Sequence, residues 1–98
     1  MICVKVHAQG REVLVAACDS EIVGKTYKSK GLRLHVSESF YKGETGDDDL
    51  LVNRLEMATI ANLAGKRTLE VAIRRGFVNP QCVLEIGGVP HAQMARMM

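Results

Sequence analysis

At 98 residues, with 47% hydrophobic and 24% charged side chains, the chain fits a single domain, residues 1–98, of ordinary soluble composition. A formal charge of +2 is too small to argue for nucleic acid by itself. Four aromatics (Tyr27, Phe40, Tyr41 and Phe77) without Trp make a thin base-stacking platform.

Met1 to Ala8 alternates, with Ile2, Val4 and Val6 on one side and Cys3, Lys5 and His7 on the other. That is the period of a half-buried strand, and it leaves no room for a signal peptide. Gln9-Gly10-Arg11 predicts a hairpin connection. Glu12 to Cys18 is apolar on both faces, as in a central strand covered on both sides. Ser20 to Tyr27 reads as a turn, or one helical turn broken at Gly24. Leu32, Leu34 and Val36 alternate with Arg33, His35 and Ser37, a third strand. Phe40 to Gly46 reads as loop.

Asp47-Asp48-Asp49 then opens a long helix, because acidic side chains cap free N–H groups and suit the positive end of the helix dipole. The pattern carries this helix to about Ala64, with Gly65 as its C-cap and Leu51, Leu55 and Ala58 as its core stripe. Thr68 is the expected N-cap of a second helix, Leu69 to Arg75, ended by Gly76. After the Asn79-Pro80 turn, Cys82 to Ile86 reads as a fourth strand. Gly87-Gly88 is the expected two-residue turn into a last strand, Val89 to Met97. The order predicts an α+β fold: a mostly antiparallel sheet of four or five strands with two helices on one face.

Three widely spaced cysteines, Cys3, Cys18 and Cys82, show neither a Cys-x-x-Cys pair nor a matched His pair. They read as reduced thiols packed as small apolar groups in a cytoplasmic protein, with no metal and no cofactor. No apolar run approaches the ~20 residues that span a bilayer, so no membrane partner is expected. Val23-Gly24-Lys25-Thr26 has the tail of a phosphate-binding loop, but the required upstream glycine is Asp19, so Lys25 and Lys28 read as a solvated turn. Three adjacent aspartates lack the alternate spacing of a calcium loop.

The remaining candidates are polar groups in apolar surroundings. Lys5, His7, Arg33 and His35 share the non-core phase of two predicted strands. If those strands are neighbours, the four form a basic patch on an open sheet face, suited to RNA phosphates. Asn62 falls on the predicted core stripe of the long helix and must find a partner. Near the end, Glu85-Ile86-Gly87-Gly88-Val89-Pro90-His91-Ala92-Gln93 combines backbone freedom with polar side chains. Gly87 and Gly88 can form a turn or an anion nest, and His91 and Gln93 can bind or exchange protons.

Val4-Lys5-Val6-His7, Ala61-Asn62-Leu63-Ala64-Gly65 and Ile86 to Gln93 together resemble an uncharacterised family of small archaeal proteins, domain-of-unknown-function family 424. The resemblance covers nearly the whole chain. It implies an archaeal cytoplasmic protein with a link to the translation machinery, and it assigns no catalytic residue. Three readings follow, in order of preference. The first is a non-catalytic module binding RNA or a translation component through the basic strand face and the Gly-Gly-Val-Pro-His loop. The second is a small enzyme with a polar pocket around His91, with Asn62 or Gln93. The third is a homodimeric scaffold packed through Met94, Met97 and Met98.

Overall fold

The computed structural model describes residues 1–96. Strands β1 (Ile2–Gln9) and β2 (Glu12–Asp19) form the expected hairpin, paired from Ile2↔Asp19 to Gln9↔Glu12. A 3-10 turn, Ser20–Ile22, leads to β3 (Thr26–Ser29) and β4 (Leu32–His35). Then come α1 (Glu38–Tyr41), β5 (Glu44–Gly46), α2 (Asp48–Met57), β6 (Ile60–Ala64) and α3 (Lys66–Arg74). A second 3-10 turn, Pro80–Cys82, precedes β7 (Leu84–Ile86) and β8 (Val89–Ala95).

The main sheet has six strands in the order β5-β1-β2-β6-β8-β7, and β3-β4 is a separate two-stranded hairpin. The sheet is mixed, because β2 and β6 run parallel while the other neighbours are antiparallel. Val15 and Ala17 of β2 pack with Leu51 and Leu55 of α2 and Leu69 and Val71 of α3. Ala16 and Cys18 face the other way, among Ile22, Leu34, Val36 and Tyr41. Thus the run that is apolar on both faces is covered on both faces. The α+β class holds, but the sheet is larger than expected and α1 with the hairpin covers its second face.

The largest departure concerns the long helix. It stops at Met57, and Ala58 takes extended backbone angles. Thr59 then fastens the chain to β2: its hydroxyl accepts from Val13 N at 2.8 Å and donates to the Glu12 carboxylate at 2.8 Å. Residues 60–64 become a strand because β2 and β8 offer hydrogen bonds on both of its edges. Local periodicity cannot see those partners, and tertiary pairing overrides propensity. Gly65 is therefore no C-cap. It has φ +108° and precedes α3, while Thr68 lies buried inside that helix rather than capping it.

Residues 40–46 are not loop, since they hold the end of α1 and all of β5. The third strand expected in the sheet belongs to the separate hairpin. Two local readings stand: Asp47 accepts from Asp49 N at 3.1 Å as the cap of α2, and Gly87-Gly88, with φ +58° and +85°, turns β7 into β8. Met94 is partly buried and packs against the core on the α2–α3 side. The contacts assigned to Met97 and Met98, and the end of the last strand at Met97, lie outside the described residues.

Candidate functional site

Strand register brings five of the sequence candidates onto one sheet face. Lys5, Ala16, Asn62 and Gln93 lie in one cross-strand row, and His91 and His7 sit in the rows on either side. Helix α1 crosses this face. Lys5 Nζ donates to Ser39 O at 2.8 Å. His7 Nε2 bonds Phe40 O at 2.8 Å, and its ring stacks on Phe40 with centroids 4.9 Å apart. Tyr41 Oη donates to Asn62 Oδ1 at 3.4 Å, and His91 Nε2 lies 2.8 Å from the same oxygen. Since that amide oxygen only accepts, His91 carries a proton on Nε2. Asn62 is thus polar on a strand, not on a helix stripe, and its partners are supplied.

The chemistry of this cluster is quiet. Burial lowers the His91 pKa and so favours the neutral ring. Burial first, and then the Cys18 thiol, push the Tyr41 hydroxyl up to about 12. Cys18 is itself pushed up to about 12 by burial, with Cys3 adding to it, so it is a protonated thiol at neutral pH and no nucleophile. No group of three or more His, Cys, Asp and Glu side chains could hold a metal among the described residues. Asn62, His91, Lys5 and His7 act here as a latch that holds α1 on the sheet. Gln93 stays exposed beside them.

The β3–β4 hairpin is different. Thr26↔His35 and Lys28↔Arg33 share one phase, while Tyr27↔Leu34 share the other. Leu34 is buried and Tyr27 half-buried, so the second phase faces the body and the first faces solvent. Lys25, Lys28, Lys30 and Arg33 are exposed, and none forms an ion pair among the described residues. No Asp or Glu occurs between Lys25 and His35. That stretch carries four positive charges in a chain of net +2, which leaves the remainder two units negative. By contrast, Arg54, Arg67 and Arg74 are all paired, with Glu44, Asp48 and Glu70. Like charges directly opposite across strands are destabilising, so Lys28 facing Arg33 weakens the hairpin.

Gly87 seats this hairpin on the sheet. A Cβ there would lie 3.1 Å from both the backbone N and O of Lys28. The Gly87-Gly88 pair is thus a tight turn that lets β3 approach.

The basic patch expected from Lys5, His7, Arg33 and His35 does not assemble as drawn. β1 and β4 lie in different sheets, and Lys5 and His7 are spent on α1. Arg33 and His35 instead join Lys25, Lys28 and Lys30. The missed signal was the acid-free run from Lys25 to His35, which outlines the basic surface without any knowledge of strand order.

A concavity of about 440 Å³ opens at the carboxyl ends of the parallel strands β2 and β6, lined in part by Asp19, Glu21, Lys66 and Pro90. Asp19 lies at its base and serves α3. Its Oδ1 accepts from Thr68 N and Thr68 Oγ1, each at 2.8 Å, and its Oδ2 accepts from Arg67 N at 3.0 Å. A carboxylate already neutralises this helix start, so the protein itself satisfies the site that would otherwise draw an anion. Sequence reading passed over Asp19 as the end of a strand.

The model of a family described as "Protein of unknown function (DUF424)" matches residues 6–97. Among solved structures, the chain is similar to a crystal structure of an uncharacterized conserved protein from Methanopyrus kandleri. The TM-score is 0.80 at 28% identity, over 99% of this chain and 95% of that one. No curated protein matches. No helix among the described residues is long and apolar enough to cross a membrane.

Proposed function

The chain belongs to the DUF424 family, a family of unknown function, and from that premise we propose that it is a non-catalytic module that binds RNA, free or within a translation assembly, through the β3–β4 hairpin. One observation carries the reading: four exposed cations, without an ion pair among the described residues, on a hairpin segment that holds no acid, with Lys28 set opposite Arg33 at a cost to the hairpin's own stability. Phosphates relieve that repulsion and take up all four charges. A non-catalytic role agrees with the neutral His91 and the protonated Cys18. Three free cysteines fit a reducing, cytoplasmic setting.

Fluorescence anisotropy with a labelled structured RNA at 50–200 mM salt tests this. Four phosphate contacts give a slope of about −3.6 in log K against log salt, or roughly a 150-fold loss over that range. Changing Lys28 and Arg33 to Ala together flattens the slope by about 1.8. Lys5→Ala leaves it unchanged, because that side chain is held by Ser39. Affinity that ignores both salt and the hairpin substitutions refutes the proposal.

A further inference from the structure

Resting on that reading, we infer that the hairpin takes the paired phosphate backbones of an RNA double helix rather than a single strand, and does so without stacking on bases. Binders of single strands combine a basic groove with aromatic faces on which bases stack. Here every aromatic ring is committed elsewhere. Tyr27 lies in the body-facing phase of the hairpin, and Tyr41 is buried. Phe40 is stacked on His7 and set edge-on to Tyr41, and Phe77 lies beneath the Arg96 guanidinium, 5.6 Å from its ring centroid. These commitments leave no Phe or Tyr platform on the solvent-facing phase of the hairpin, where a single strand would stack only on His35 or the Arg33 guanidinium.

The charge interaction itself favours a duplex. A double helix carries two phosphates per base pair, one from each strand, and so a higher charge density along its axis than either strand alone. The hairpin is a short ribbon: four residues of strand span about 13 Å. Lys28 on one strand stands opposite Arg33 on the other, with Lys30 at the tip. A duplex holds its phosphates in place before binding, whereas a flexible single strand loses conformational freedom to match the hairpin's cations. Base edges are closed to the hairpin by the duplex itself, whose major groove is too deep and narrow for side chains to read.

The test compares a blunt RNA duplex of about two helical turns with each of its strands, chosen free of self-pairing, at 100 mM salt and with the full chain. The duplex is expected to bind about ten-fold more tightly or better, with little difference between duplexes of unlike sequence. The pair Lys28→Glu and Arg33→Glu should abolish binding while circular dichroism shows an intact fold. Should that pair not fold, Lys25→Gln with Lys30→Gln must weaken duplex binding in its place. A single strand that binds as well as the duplex overturns this inference and leaves the RNA reading standing. No binding to either RNA overturns both, as does duplex binding that survives the hairpin substitutions.

Discussion

Asp19→Ala removes the acceptor of three hydrogen bonds at the start of α3. Two of the donors, the amide and hydroxyl of Thr68, are buried and have Asp19 as their acceptor. A buried unsatisfied donor costs ~1–3 kcal/mol, while the half-exposed Arg67 amide can recruit water at little cost. Loss of a helix cap alone costs about 1 kcal/mol, and the terms overlap, so the expected total is roughly 2–4 kcal/mol. A domain of this length has roughly 5–15 kcal/mol in all. The change is therefore a large share of its stability, and it should lower the melting temperature by roughly 8–30 °C.

The assay is thermal and urea unfolding followed by circular dichroism. Gly65 supplies an internal control, because a Cβ there would come within 2.4 Å of the Asp19 carboxyl carbon, at a backbone φ of +108°. In the native background Gly65→Ala meets both the clash and the strained angle. In the Asp19→Ala background only the angle remains. The double variant must then lose less than the sum of the single losses, as coupled neighbours do. A loss below about 0.5 kcal/mol for Asp19→Ala, or strict additivity of the two changes, would refute the account of Asp19 as the anchor of α3.

His91 gives a pH signature. Burial lowers its pKa in the folded state below the ordinary 6.5, so the unfolded chain binds the proton first. Its contribution to stability is full above pH 6.5 and is lost as pH falls through the folded pKa. His91→Gln should lose less stability than the parent between pH 7 and pH 5, and an unchanged difference curve contradicts the burial argument. Among the thiols, Cys82 is exposed, Cys3 is buried, and Cys18 is raised to about 12. A thiol reagent at pH 8 should titrate one group quickly and three only on unfolding, and a reducing agent should leave the melting temperature unchanged. Gly87→Ala forces a side chain into positive φ and against the Lys28 backbone, at a cost of roughly 1–2 kcal/mol or more. It should also speed hydrogen exchange in β3, whereas Gly31→Ala, with φ +82° and open space around it, should show the backbone strain alone.

Where structure followed from short-range rules, the residues alone were enough. The strand at Ile2–Gln9, the doubly apolar run from Glu12 to Cys18, the cap at Asp47 and the Gly87-Gly88 turn each rest on neighbours within a few positions, and each is where the sequence places it, although β1 is not half-buried throughout: Cys3 is buried on the second face and Val6 is exposed. The site residues were legible only in part. Arg33 and His35 belong to the basic hairpin, but Lys25, Lys28 and Lys30 complete it. Strand phase alone does not group them, whereas the acid-free run from Lys25 to His35 does. The same limit explains residues 60–64. Ile-Ala-Asn-Leu-Ala suits a buried helix as well as a strand, and only the free edges of β2 and β8 decide between them. Once that segment is a strand, Asn62 moves from a helix stripe to the face beneath α1, and Gly65 changes from the end of one helix to the start of another. Asp19 then finds the amides of residues 67 and 68, 48 and 49 positions further along the chain. Contacts over such separations leave no local pattern, because they exist only after the sheet has brought the two segments together.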